Sequence, residues 1–159
     1  MRIAFFHGLE SPHRSEKNDL LEATFEHVYA PPMDYTDPKL FEQVLREVKD
    51  QQIDLLIGSS MGGWFAYCIS TLTGIPTLLF NPAVQGRSIE PAVRRRPDLS
   101  VHTLVLGKTD DIINPQKTIE WLKANEAGLV ELNWEFHGHR IPIESFTKWV
   151  KHMAETFDK

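Results

Sequence analysis

Residues 53–65 read Ile-Asp-Leu-Leu-Ile-Gly-Ser-Ser-Met-Gly-Gly-Trp-Phe. This is an apolar run, then Gly58-x-Ser60-x-Gly62, then a helix-like segment. Few local patterns constrain a fold as tightly. A serine between a strand and a helix, with glycine two positions away on each side, marks a very tight turn with the hydroxyl exposed at its apex. The backbone at the apex is strained, and side chains at the flanking positions would collide, so glycine is needed there. The helix that follows points its N-terminus at the hydroxyl and favours negative charge beside it.

The rest of the chain alternates short apolar runs with amphipathic stretches and contains no internal repeat or low-complexity linker. The spacing predicts strands near 2–6, 26–30, 53–57, 76–80, 101–106 and 129–136. Helices are expected over 15–24, 38–51, 61–72, 115–125 and 143–157. Leu40, Val44, Leu45 and Val48 give the second helix an apolar stripe at helical spacing. Strands alternating with helices pair in parallel through crossovers. The third, fourth and fifth strands are nearly continuous apolar runs, as when both sheet faces are covered. The expected fold class is therefore α/β, a three-layer α/β/α sandwich with about six parallel strands. A chain of 159 residues is long enough for one domain with a real core and too short for two ordinary ones. Residues 1–159 are read as a single domain with a minimal cap segment around 84–100. Ligands of such sheets bind beyond the carboxyl ends of the strands.

Three further segments fall at that end. After the fifth strand comes Gly107-Lys108-Thr109-Asp110-Asp111-Ile112-Ile113-Asn114-Pro115. An acid here can accept a hydrogen bond from a histidine ring and hold its tautomer. Asp110 and Asp111 are both available. The Gly-x-x-Asp spacing favours Asp110, while capping of the next helix suits Asp111 or Asn114 better. After the sixth strand, Phe136-His137-Gly138-His139-Arg140 offers a general base and gives the chain order Ser, Asp, His. His139 is favoured over His137 because it lies on the loop before the last helix, whereas His137 sits nearer the strand end and can simply pack. His13, His27, His102 and His152 lack companion motifs and are read as structural or exposed, although His13 lies on the first loop of the site. That loop is Phe6-His7-Gly8-Leu9-Glu10-Ser11-Pro12. The N–H groups of Leu9 and Met61 would form an oxyanion hole, with His7 ordering the loop through its ring.

Together these segments resemble the compact bacterial serine esterases of the α/β-hydrolase superfamily. Within them the chain is similar to a small group that opens with His-Gly-x-x-Ser-Pro, here residues 7–12. The group also carries Gly-x-Ser-x-Gly-Gly, here residues 58–63, and Asn-Pro-Ala after the next strand, here Asn81-Pro82-Ala83. The resemblance spans nearly the whole chain. It implies a minimal α/β-hydrolase fold and a Ser-His-Asp hydrolase acting on carboxylic esters or thioesters. Ser60 would be the nucleophile, His139 the base and Asp110 the orienting acid, with an acyl-enzyme resolved by water and neither cofactor nor metal required. The departures are Leu9 and Glu10, where the group often has an aromatic and a small polar residue, and Gly138-His139, where Asn-His is common. They bear on substrate preference more than on chemistry.

Candidate substrate-binding residues are His7, Met33, Tyr35 and Asn81. Met33 and Tyr35 follow Pro31-Pro32 at the end of the second strand, where they would wall an acyl pocket. Trp64 and Phe65 are read as core. Arg94, Arg95 and Arg96 read as a solvated charged face, with recognition of an anionic head group as the sharper alternative. The little sequence between strands suggests an open cleft, which favours small soluble esters. A thioesterase on the same triad and a binding protein with a vestigial triad are the alternatives. A flavodoxin-like binding domain would want a phosphate cradle after the first strand, which Glu10 opposes.

Hydrophobic and charged contents of 42% and 25% suit a soluble globular protein. The net charge of −5 argues against a nucleic-acid partner. No apolar stretch reaches bilayer length, and the opening Arg2-Ile3-Ala4-Phe5-Phe6 is wrongly built for a signal peptide. A cytoplasmic location without a membrane partner is the expectation. Cys68 is the only cysteine, which excludes an internal disulfide and a Cys-rich metal site; it is read as a small buried hydrophobe. Nothing in the sequence fixes an oligomeric state.

Overall fold

A computed structural model of the chain describes residues 1–85 and 98–159. Of the cap expected around 84–100, residues 86–97, with Arg94, Arg95 and Arg96, fall outside the described residues. In chain order the elements are β1 (Arg2–Phe6), α1 (Glu16–Thr24), β2 (His27–Tyr29), α2 (Leu40–Asp50), β3 (Leu55–Ser59), α3 (Met61–Thr73), β4 (Thr77–Phe80), β5 (Val101–Gly107), α4 (Pro115–Ala124), β6 (Leu129–Glu135) and α5 (Ile143–Phe157). One six-stranded sheet runs in the order β2-β1-β3-β4-β5-β6, and every pairing is parallel.

Helix ends follow local chemistry. Ser15 caps α1 by accepting from the Lys17 N–H, while the Asn18 side chain accepts from the Ser15 N–H, a reciprocal box that satisfies two otherwise unpaired donors. Asn114 caps α4 by accepting from the Lys117 N–H, and Pro115 takes the first helical position, where its missing N–H costs nothing. Along the strands, side chains alternate between two cores. Ala4, Phe6, Leu56, Leu79, Leu104 and Leu106 pack with α2, α3 and α4. Ile3, Phe5, Leu55, Ile57, Leu78, Phe80 and Val105 pack with α1 and α5. Two cores on opposite faces of one sheet are the expected three layers. In α2 the stripe of Leu40, Val44 and Val48 is buried. α3 is buried from Met61 to Thr71, including Trp64, Phe65 and Cys68, so it is the central helix.

Boundaries shift where turns intervene. β3 runs from Leu55 to Ser59, not over 53–57. Gln52 takes φ 53 at the exit of α2, and Ile53 still donates its N–H to the Val48 carbonyl at 3.2 Å. The ladder then continues through Gly58, opposite Phe6, and Ser59, opposite Phe80. β2 covers His27–Tyr29 rather than 26–30, as an edge strand with one neighbour. α2 begins at Leu40, because the Asp37 carboxylate and carbonyl hold the Lys39 and Leu40 amides in a preceding turn.

The sheet reverses its winding at β1, which has β2 on one side and β3 on the other. The carboxyl ends of β1 and β3 therefore splay into a crevice. The first loop, residues 7–12, and Ser60 both issue there.

Candidate active site

Ser60 sits between β3 and α3 at φ 56, ψ −117. A non-glycine residue at positive φ stores strain that the surroundings must hold. They do so through three backbone hydrogen bonds: the Ser60 N–H donates to the Phe80 carbonyl at 3.0 Å, and the Ser60 carbonyl accepts from Trp64 at 3.1 Å and from Ala83 at 2.9 Å. The glycines make the turn possible. A Cβ on Gly58 would fall onto the Gly62 carbonyl, and one on Gly62 onto the Phe6 and His7 carbonyls.

The loops after β5 and β6 meet this serine. His139 Nε2 lies 2.8 Å from Ser60 Oγ, and His139 Nδ1 lies 2.8 Å from Asp110 Oδ2. The other Asp110 oxygen accepts from the Ile112 and Ile113 amides at 2.9 and 2.8 Å. An ionised carboxylate only accepts, so Nδ1 carries the proton and Nε2 offers its lone pair to the Ser60 hydroxyl. Of the paired candidates, His139 and Asp110 are the residues brought to Ser60. His137 instead donates from Nδ1 to the Gly138 carbonyl at 2.9 Å, and its Nε2 is buried without a protein partner among the described residues. Asp111 is exposed, and the helix cap is Asn114.

Asn81 ties these loops together from beneath. It is 1% exposed. Its Oδ1 accepts from the Gly107 N–H at 2.8 Å, and its Nδ2 donates to the Gly138 and His139 carbonyls at 3.2 and 2.9 Å. All the side chain's bonding is directed at protein backbone rather than at the cleft.

His7 braces the first loop. Its Nε2 accepts from the Met33 N–H at 3.0 Å, so the proton is on Nδ1, which donates to the Gly8 carbonyl at 2.8 Å. The Tyr35 hydroxyl donates to the His7 carbonyl at 2.5 Å. Burial pushes the Tyr35 phenol well above its usual range, so it remains a donor. Met33 and Tyr35 are both buried and back the first loop from behind.

The cleft over Ser60 measures about 450 Å³ and is lined by residues 8–11, Lys17, Ser59, Ser60, Ile112 and residues 139–141. Leu9 and Ile112 flank it, 58% and 68% exposed. Leu9 donates its N–H to no protein acceptor among the described residues, and Met61 is the first residue of α3, directly after Ser60. At the other wall stand Lys17 and Arg140. Burial lowers the Lys17 ammonium below its ordinary range, the Arg140 guanidinium lowers it further, and Glu16 pulls partly the other way. Among the described residues, no group of three His, Cys, Asp or Glu is placed to hold a metal ion, and no helix is long and apolar enough to cross a membrane.

Sequence reasoning missed Ile112, Lys17 and Arg140 as cleft residues. Each had a readable address: Ile112 stands between Asp110 and the cap Asn114, Arg140 follows His139, and Lys17 follows the cap Ser15 by two positions.

A family profile described as Uncharacterised protein family (UPF0227) matches residues 2–92, more than half of the chain. No curated protein matches the sequence. Among solved structures, a Xanthomonas campestris protein described as a candidate hydrolase of the α/β superfamily superposes with a TM-score of 0.72 at 18% identity, covering 98% of this chain and 97% of that one. Arabidopsis thaliana SOBER1 superposes with a TM-score of 0.70 at 14% identity, over 100% and 99% of the two chains. A Bacillus cereus carboxylesterase gives a TM-score of 0.63 at 16% identity, over 98% and 87%. At these identities the likeness establishes the fold, that of the α/β hydrolases.

Proposed function

We propose that this chain, which belongs to the uncharacterised family UPF0227, is a serine hydrolase that cleaves small carboxylic esters through an acyl-enzyme. The observation that carries the reading is the unbroken contact Ser60–His139–Asp110, two hydrogen bonds of 2.8 Å joining three separate loops. The Ser60 hydroxyl attacks the acyl carbon while His139 Nε2 takes its proton. Asp110 stays ionised, keeps the proton on Nδ1 and stabilises the imidazolium that forms. The oxyanion is received by the amides of Leu9, whose loop lines the same cleft, and Met61, the next residue after the nucleophile. Collapse of the tetrahedral intermediate expels the alcohol, which takes the proton from His139. Water, deprotonated by the same ring, then releases the acid and frees Ser60. No cofactor is called for in this sequence of steps. The little sequence between strands suits a small ester better than a long lipid chain. A lone cysteine fits a reducing compartment, and the cytoplasm is the location this reading assigns.

Ser60→Ala should abolish hydrolysis of aryl acetates, a loss of about six decades for removal of a triad nucleophile, with the thermal melt preserved. A fluorophosphonate probe should label Ser60 of the native chain and nothing in the variant, read by intact mass. Only the neutral ring can accept the Ser60 proton, so the same His139 nitrogen that contacts the hydroxyl serves as base. Undiminished turnover by purified Ser60→Ala protein would remove the basis for the assignment.

A further inference from the structure

We propose that Lys17 and Arg140 form an anion subsite beside Ser60, so that the ester cleaved here carries a carboxylate or phosphate group. The proposal deepens the hydrolase reading and rests on it. Both side chains line the cleft that holds Ser60 and His139. Both also line an adjoining cavity of about 240 Å³, walled by His7, Ser11 and Ser15. The two cations therefore stand where the cleft opens into this side cavity, Arg140 one residue past the base and Lys17 in the first turn of α1.

Their surroundings compensate them only in part. Neither takes part in an ion pair among the described residues. Glu10 and Glu16 line the same cavities, yet both are exposed and neither comes within ion-pair distance of Lys17 or Arg140. Lys17 is half-buried, with its ammonium 5.3 Å from the centre of the Phe146 ring. Arg140 acts on it more strongly than Glu16 does, and the effect is repulsive. Two like charges facing one cleft, Lys17 half-buried and Arg140 exposed, repel each other, and an oxyanion between them offsets that repulsion. Arg offers a planar fork for carboxylate or phosphate, and Lys a mobile point charge. A neutral ester draws nothing from this wall, whereas an anionic one is bound and oriented by it.

The test uses matched esters with the full chain. In one arm the anion is on the acyl side: mono-4-nitrophenyl adipate against 4-nitrophenyl methyl adipate. In the other it is a phosphate on the alcohol side: 4-acetoxyphenyl phosphate against 4-methoxyphenyl acetate. In at least one arm the anionic ester should exceed its neutral partner in kcat/KM by roughly tenfold, the scale of one charge-assisted contact. That ratio should collapse towards one in Lys17→Met, in Arg140→Gln and in the double variant, and persist in Lys17→Arg. Arg140 is exposed, so Arg140→Gln alone decides the matter should Lys17→Met fail to fold. A native ratio of one or less in both arms, or a ratio unchanged in Arg140→Gln, overturns the subsite and leaves the hydrolase standing. Absence of any turnover, with Ser60 unlabelled by a fluorophosphonate, overturns both.

Discussion

Asn81 shows how one buried side chain can set the position of His139, the proposed base, without touching its ring. It grips the carbonyls of Gly138 and His139 with one atom and the Gly107 amide with the other. It also adopts φ 42, a conformation asparagine tolerates better than most residues. Asn81→Ala should lower kcat on aryl acetates by about ten- to a hundredfold while KM moves less, because a displaced base costs rate rather than affinity. Steady-state kinetics would check it; a rise in KM at constant kcat would point instead to the substrate contact that the sequence suggested. The residue was visible in the Asn-Pro-Ala motif, but its work was not, since its partners are 26, 57 and 58 positions away. Ser60, Asp110 and His139 were readable because each carries its signal locally, in the spacing to a neighbouring glycine or strand end. The pairing of Lys17 with Arg140 had no such signal. It arises only when α1 packs beside the loop before α5.

At the scale of elements, glycines let α3 press directly on β1 and β3. Gly62 lies against the Phe6 and His7 carbonyls and Gly58 against Gly62 itself, so strand, turn and helix pack with no side chain between them. Gly62→Ala should destabilise by about 3 kcal/mol or more, since the new methyl meets backbone that cannot rotate away. Urea unfolding monitored by tryptophan fluorescence measures the loss, and a variant of native stability would contradict the geometry. This packing also explains why β3 was misplaced by two residues in the sequence reading. Glycine was taken as the end of the strand, whereas Gly58 is a strand residue chosen for what presses on it. The existence and type of the eleven elements among the described residues were legible in the alternation of apolar and amphipathic stretches. Their ends were set by particular turns, at Asp37 and Gln52, whose chemistry overrides the apolar pattern.

Across the whole molecule, the sheet is fastened at the end opposite the cleft. Asp98 accepts from His102 Nε2 at 2.8 Å and from the Ser100 and Gly128 amides, both at 2.9 Å, and His102 Nδ1 meets the Thr77 hydroxyl at 3.0 Å. The starts of β4, β5 and β6 are thereby clasped. Burial alone would push the Asp98 carboxyl up, but the hydrogen bonds from His102, Ser100 and Gly128, with the pull of His102, outweigh it and hold it well below the usual carboxylate range. A carboxyl depressed in the folded state stabilises above its unfolded pKa, about 3.9, and loses that contribution as the pH drops through the folded value. Asp98→Asn should therefore cost on the order of 3 kcal/mol at pH 7, and the gap from native should narrow below about pH 4. Urea melts at pH 7 and pH 3 compare the two, and a gap independent of pH would refute the clasp. The three layers themselves were foreseeable, because apolar strands alternating with amphipathic helices admit few other arrangements. The clasp was not, since His102 was read only as structural or exposed, and Asp98 carries no signal of its own until His102, Ser100 and Gly128 close around it.

The single thiol, Cys68, is 0% exposed within α3. A sulfhydryl so enclosed is shielded from maleimides under native conditions. Replacing exposed Ile112 by cysteine would then create one selectively taggable position at the mouth of the cleft. A dye fixed there would report occupancy in real time, without any background from the parent chain.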